Sequence, residues 1–128
     1  MAKKKRHGTG TFLRMPHDVM KQKKFLALKP MERTVLFELA MQYNGHNNGD
    51  LCAAPKTMRD RGINSKSGVE KALAMLEEFG FIMKTRQGGR HMPNLWAITW
   101  QPIDECSGKL EVPETNVAPG GWRDRDEN

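Results

Sequence analysis

Apolar residues recur at helical spacing in one stretch near the middle of the chain. Their positions fall at i, i+3, i+4, i+7 and i+10: Val69, Ala72, Leu73, Leu76 and Phe79. This spacing places apolar side chains on one stripe of a helix with 3.6 residues per turn. An oxygen of Ser65 or Ser67 is expected to cap the start, and Glu70 follows Ser67 at the spacing of a capping box. Gly80 ends the predicted helix, because a residue without Cβ readily adopts the left-handed conformation.

The pattern changes from helix to strand after this stretch. Residues 81–86 and 95–100 are rich in apolar, β-branched and aromatic side chains. A Gly-Gly turn lies between them, within the segment Gln87-Gly88-Gly89-Arg90-His91. Two short strands joined by such a turn predict an antiparallel hairpin.

Further elements are predicted upstream. A helix over residues 30–43 begins with Pro30, whose missing N–H costs nothing at the first helical position. Its apolar stripe consists of Val35, Leu36, Leu39, Ala40 and Tyr43. Residues 51–54 favour a short strand and residues 55–61 a second helix, which the turn over 62–64 joins to the amphipathic helix.

Two other segments precede these elements or connect them. Asn and Gly are concentrated in residues 44–50, which is a turn signal because both residue types tolerate positive φ. Pro16 opens a short helix that runs through about residue 24. The coarse pattern therefore predicts an α+β domain over residues 15–101.

Charge is distributed unevenly along the 128 residues. Residues 1–101 carry 18 Lys and Arg against 8 Asp and Glu, whereas residues 102–128 carry 3 against 7. A basic folded region attracts polyanions, of which nucleic acid is the first expectation and a membrane surface the second. No apolar run approaches the length of a membrane-spanning helix or of a signal peptide core, so a cytoplasmic protein is expected.

The sequence does not favour an enzyme or a metalloprotein. It contains no P-loop, no metal-ligand spacing and no Cys-His arrangement suited to nucleophilic catalysis. Cys52 and Cys106 lie far apart without a CxxC motif, and His46 stands alone in its loop. We therefore expect neither catalytic residues, nor a metal, nor a cofactor.

Two end segments differ from the central domain. Residues 1–14 form a basic arm without predicted structure, and residues 102–128 form an acidic tail rich in Pro and Gly, also without predicted structure. Trp122 is alone in that tail, either incidental or a short anchor for a protein partner. Trp96 and Trp100, by contrast, share a strand face with Ile98 and are expected to close the core over the amphipathic helix.

Three stretches resemble a known family: LKPMERTVL at 28–36, YNGHNNGDL at 43–51 and ALAMLEEFGFI at 72–82. Over residues 25–100 the chain is similar to small winged helix-turn-helix proteins of bacteria and their phages. The resemblance implies an α+β fold with three to four helices and a small antiparallel β wing. It also implies double-stranded DNA binding by a transcriptional regulator or a replication-associated accessory factor.

The candidate DNA contacts are cationic and polar residues of the second helix, the amphipathic helix, the wing and the arm. They are Arg59 and Arg61; Asn64, Lys66, Ser67 and Lys71; Lys84, Arg86, Arg90 and His91; and Lys3, Lys4, Lys5 and Arg6. The amphipathic helix would enter the major groove while the wing lies on neighbouring backbone. If some six cations neutralise phosphates, log affinity should fall with log salt at a slope of roughly −5.

Two departures from the family pattern affect these expectations. Arg61 stands where many relatives carry an apolar residue, so Met58 and Ile63 should anchor the second helix, and Arg61 either loosens it or turns outward. The amphipathic helix offers no Arg at its start, which leaves Asn64 and Lys66 for base recognition. An alternative is a mobile-element interaction module that binds and inhibits a host nucleic-acid-handling protein. Monomer and homodimer both remain open.

Overall fold

The computed structural model describes residues 10–124. The α-helices and β-strands in this range are α1 (His17–Met20), α2 (Lys23–Leu26), α3 (Pro30–Met41), α4 (Pro55–Asp60), α5 (Lys66–Glu78), β1 (Ile82–Arg86) and β2 (Leu95–Ile98), and a short 3-10 helix spans Cys106–Gly108. The predicted α+β class is confirmed. Within the described residues the sheet has two antiparallel strands, and α3 packs against α5. The short helix predicted over 16–24 is instead two four-residue helices, α1 and α2.

Helix α3 is the central helix of the core. Pro30 occupies its first turn, and the backbone N–H of Lys29 donates to Glu32 Oε1 at 2.8 Å. Leu36 and Leu39 are fully buried. The helix ends at Met41, two residues before the predicted end, and the side chain of Gln42 then exchanges hydrogen bonds of 2.8 Å with the backbone of Cys52.

Helix α5 begins and ends with local hydrogen bonds. Ser65 is the residue that caps it, accepting from the N–H of Gly68 at 3.0 Å, so the predicted capping box on Ser67 does not form. At the other end, Gly80 has a φ of +83°, and the N–H of Phe81 donates to the carbonyl of Leu76 at 3.0 Å. This bond across the last turn, with a glycine in the left-handed conformation, is a Schellman ending.

The strands are shorter than predicted and their connection is longer. Ile82 pairs with Ile98 and Lys84 with Trp96, and the register shifts between Lys84 and Arg86. The Gly-Gly pair is not the turn. Within the connecting segment, residues 87–94, here called the hairpin loop, Gly89 and Met92 bond to each other, so residues 90–91 form the tip. Residue 51 extends the sheet through a single bridge to Trp96, where the sequence predicted a short strand.

Both faces of β2 are covered. Trp96, Ile98 and Trp100 belong to the main core, as predicted, whereas the buried residues Leu95 and Ala97 do not. Successive side chains of a strand point to opposite faces, so a second layer must cover the far side of the sheet. Ile103 of the C-terminal segment is likewise buried outside the main core, which indicates that this segment supplies the second layer.

The expectation that residues 102–128 lack fixed structure is wrong for residues 102–124. Ile103 is buried, and the N–H of Glu111 donates to the carbonyl of Thr85 at 2.8 Å. Trp122 is 5% exposed and joins the main core, so it is not an accessible anchor for a partner. The apolar residues of this segment are widely spaced, and they therefore gave no periodic signal in the sequence.

The last described residues attach the C-terminal segment to α2. The backbone N–H groups of Lys23 and Lys24 donate to the carboxylate of Asp124 at 2.7 and 3.2 Å. Lys24 Nζ donates to the carbonyl of Gly121 at 2.9 Å. The end of the described chain is thus bonded directly to α2.

Candidate nucleic-acid interface

Helix α4 and the turn after it set the position of the residues predicted to contact DNA. Met58 is 1% exposed and Ile63 is half-buried, which confirms that these two residues anchor α4. The N–H of Ile63 donates to the carbonyl of Met58 at 2.9 Å, and Gly62 adopts a φ of +87°. The chain therefore turns sharply from α4 into α5.

A groove lies where α4, α5 and the hairpin loop meet. Its cavity measures about 180 Å³. The lining residues are Ala53, Ala54, Pro55, Met58, Arg59, Ile63, Asn64, Ser65, Lys66, Val69, Glu70, Leu73, Pro93, Asn94 and Trp96. Most of these side chains are apolar. Of the predicted contact residues, the structure brings Arg59, Asn64 and Lys66 together here.

The cations around this groove are available to a ligand. Arg59, Lys66 and Lys71 are exposed, and their side chains have no hydrogen bond or ion pair with any residue of the described chain. Asn64 and Ser67 are also exposed but only Asn64 lines the groove. The side chains at the start of α5 thus face solvent, as the prediction requires.

Arg61 is engaged elsewhere. Its Nε donates to Glu38 Oε1 at 2.7 Å, and Glu38 of α3 is 7% exposed. The hydrogen bond to Glu38 raises the pKa of Arg61. If the Arg61 guanidinium moved away to bind a DNA phosphate, the buried Glu38 carboxylate would be left unpaired, which is costly. We therefore remove Arg61 from the candidate contacts: it neither loosens α4 nor points freely outward.

Two of the predicted strand cations brace the hairpin. Lys84 Nζ lies 5.5 Å from the centre of the Trp96 ring and donates to Gln87 Oε1 at 3.2 Å. Arg86 Nη2 donates to the carbonyl of Pro93 at 3.1 Å, and its buried Nε has no partner within the described chain. Both side chains are half-buried. These contacts fix the base of the hairpin loop.

The tip of the hairpin loop carries the two remaining cationic candidates. Arg90 and His91 are exposed, and His91 has a φ of +64°. Asn94 stabilises the loop from inside by accepting from the N–H of Gly88 at 2.6 Å. The predicted contacts Lys3, Lys4, Lys5 and Arg6 lie outside the described residues.

Sequence reasoning missed two features of the site. Glu70 lines the groove beside the cations, and the half-buried Leu73 gives the groove an apolar lining between α5 and the hairpin loop. The sequence placed Glu70 on the exposed face at the start of this helix but did not indicate a groove there. The groove itself joins residues from 53 to 96, and no local pattern could have indicated it.

Comparison with family models, with curated proteins and with solved structures found no match to this chain. The described part contains no group of three His, Cys, Asp or Glu side chains that could hold a metal ion. None of its helices has the length and apolar character needed to cross a bilayer.

Proposed function

We propose that the chain is a winged helix-turn-helix protein that binds double-stranded DNA as a transcriptional regulator or a replication-associated accessory factor. The observation that carries the proposal is the groove described above. It unites α4, the start of α5 and the hairpin loop, and its rim holds Arg59 and Lys66 without partners among residues 10–124. This is the combination of elements with which winged domains meet a duplex.

In the proposed mode α5 enters the major groove by its N-terminus. Lys66 and Lys71 then lie near bases or backbone, with Asn64 at the entry. Arg59 meets phosphate from α4, and Arg90 with His91 meets the adjacent backbone as the wing. Lys84 and Arg86 act indirectly, by fixing the hairpin loop.

Salt dependence follows from the number of free cations. The described chain offers Arg59, Lys66, Lys71 and Arg90, so four phosphate contacts give a slope of log affinity on log salt of about −3.6. This slope is smaller than the sequence-based value because Arg61, Lys84 and Arg86 bond within the domain. Any contact by the N-terminal arm would add to it.

The test is fluorescence anisotropy with a random-sequence duplex at about 50 and 200 mM salt. The variant Lys66→Ala/Lys71→Ala/Arg90→Ala should lose affinity, and its slope should shrink by roughly 2.7 because three contacts are removed. The matched control, Lys21→Ala/Lys23→Ala/Lys29→Ala, removes the same charge away from the groove. Equal losses in the two triple variants, or no binding by the wild type at low salt, would refute the proposal.

A further inference from the structure

The floor of the groove between α4, α5 and the hairpin loop is apolar, whereas the only apolar group that a duplex presents in its major groove is the thymine methyl. Val69, Leu73 and Trp96 contribute to this floor. An apolar cavity of roughly 150 Å³ is enough to take up benzene. The cavity of about 180 Å³ therefore has room for one aromatic ring.

The charged side chains at the rim of the groove determine which charges a ligand must carry. Arg59 and Lys66 have no partners among the described residues, and Glu70 is the one acidic side chain that lines the groove. A ligand that fills the groove completely needs an aromatic or large aliphatic group together with anionic groups placed away from Glu70. Hydrogen-bonded, stacked bases of a duplex keep their rings inside the helix, so a duplex can satisfy the cations but can offer the floor no more than thymine methyl groups.

A base of single-stranded nucleic acid fits the floor less well. Its ring edges carry polar groups that need hydrogen-bond partners when water is removed. Val69 and Leu73 offer none. A hydrocarbon ring flanked by carboxylates satisfies both the floor and the rim.

We infer that this groove binds an acidic peptide segment of another protein, which inserts one aromatic side chain against Val69, Leu73 and Trp96 and places carboxylates on Arg59 and Lys66. Peptide and duplex would use the same two cations, so the two ligands should exclude each other. The peptide site itself does not depend on DNA binding, since it needs only the apolar floor and the charged rim.

The probe is the acetylated peptide Gly-Asp-Asp-Phe-Asp-Asp-Gly, titrated into the ¹⁵N-labelled full chain. We expect saturable changes in the amide signals of Val69 and Leu73 and in the indole N–H signal of Trp96. Replacing Phe by Ala, or all Asp by Asn, should each weaken binding about fivefold or more, because each change removes one of the two required features.

Variants of the protein test whether the peptide binds at the groove or is attracted only by the overall positive charge. Arg59→Ala/Lys66→Ala should weaken peptide binding about fivefold, whereas Lys21→Ala/Lys29→Ala, which removes equal charge outside the groove, should leave the affinity within about twofold. All four side chains are exposed, so both variants should fold.

Three results would overturn the inference. They are the absence of groove shifts at millimolar peptide, equal affinity for the Asp and Asn peptides, and tighter binding of an oligothymidine to the same residues. Duplex binding is measured separately by anisotropy. A chain that binds the peptide but no duplex would refute the proposed function alone, and a chain that binds duplex but no peptide would refute only this inference.

Discussion

At the scale of single residues, Asn48 connects distant parts of the fold, a role that the sequence of its loop does not indicate. Its side-chain amide donates to the carbonyls of Ile98, Gln101 and Pro102 at 2.9 to 3.1 Å and accepts from the N–H of Ile98 at 2.9 Å. The residue is fully buried. One side chain thereby fixes the loop after α3 to the end of β2 and to the start of the C-terminal segment.

Replacing Asn48 by Ala should lower the free energy of unfolding by about 3 kcal/mol, because several buried backbone groups would lose their partner. Urea denaturation followed by circular dichroism measures this change. Asn116→Ala is the matched control, since Asn116 is exposed, and it should change stability by less than about 0.5 kcal/mol. A loss below about 1 kcal/mol for Asn48→Ala would contradict the role assigned to its hydrogen bonds.

The same scale shows where sequence reasoning was limited. The sequence indicated a turn at residues 44–50 from the residue types alone, and it could not indicate that Asn48 bonds to atoms 50 or more positions away. The pairing of Arg61 with Glu38 was missed for the same reason, since 23 residues separate them. Local patterns carry information about neighbours in sequence, not about partners brought together by folding.

At the scale of elements, α5 could be predicted because its signals are local. Its apolar stripe, its Ser65 cap and its Gly80 ending all involve residues within a few positions of one another. The hairpin was predicted less well. The register shift beside Thr85 coincides with a hydrogen bond from its hydroxyl to the carbonyl of Gly49 at 2.6 Å, which is again a distant partner.

Gly80 is subject to two constraints, and only one was visible in the sequence. Besides its φ of +83°, a Cβ at this position would overlap the carbonyl oxygen of Gly121. We expect Gly80→Ala to lower the free energy of unfolding by at least about 3 kcal/mol. The alanine must adopt a left-handed conformation, and the backbone must also move to make room for its Cβ.

Gly62→Ala provides the control for that prediction. Gly62 has a similar φ of +87°, but a Cβ there would meet nothing within 4 Å. Its substitution should cost only about 1 kcal/mol in the same thermal or urea denaturation experiment. Equal costs at the two glycines would show that the approach of Gly121 does not constrain the end of α5.

At the scale of the whole molecule, the C-terminal segment packs on the sheet, and its end is hydrogen-bonded to α2. None of residues 102–124 lines the groove, but Glu111 reaches the base of the hairpin loop, where it accepts from the N–H of Gln87 at 3.1 Å. Charged residues of the segment make structural contacts: Asp104 accepts from the N–H of Asn48 at 2.8 Å, and Lys109 pairs with Asp50, in the loop after α3, at 2.7 Å. Composition alone suggested a tail, because buried residues such as Trp122 are isolated within it.

The contact between Asp124 and α2 should depend on pH. The hydrogen bond from the N–H of Lys23 holds the pKa of Asp124 below its ordinary value of 3.8. A lowered pKa means that the contact contributes fully above pH 3.8 and is lost as pH falls through the lowered value. The carboxyl ¹³C signal of Asp124 should therefore titrate with a midpoint below 3.8.

The Lys23 amide signal should follow the same midpoint, and in Asp124→Asn that titration should disappear while the fold at neutral pH is kept. A midpoint at or above 3.8 would show that the carboxylate is not held by α2 in solution.

The central claim is that one surface, formed by α4, the start of α5 and the hairpin loop, meets DNA. The most direct measurement is a ¹H–¹⁵N titration of the full chain with a duplex of about 20 base pairs at low salt. We predict the largest signal changes at residues 55–59, 64–71 and 89–94, and small changes over residues 103–120. Absence of changes, or changes centred on the C-terminal segment, would contradict the claim.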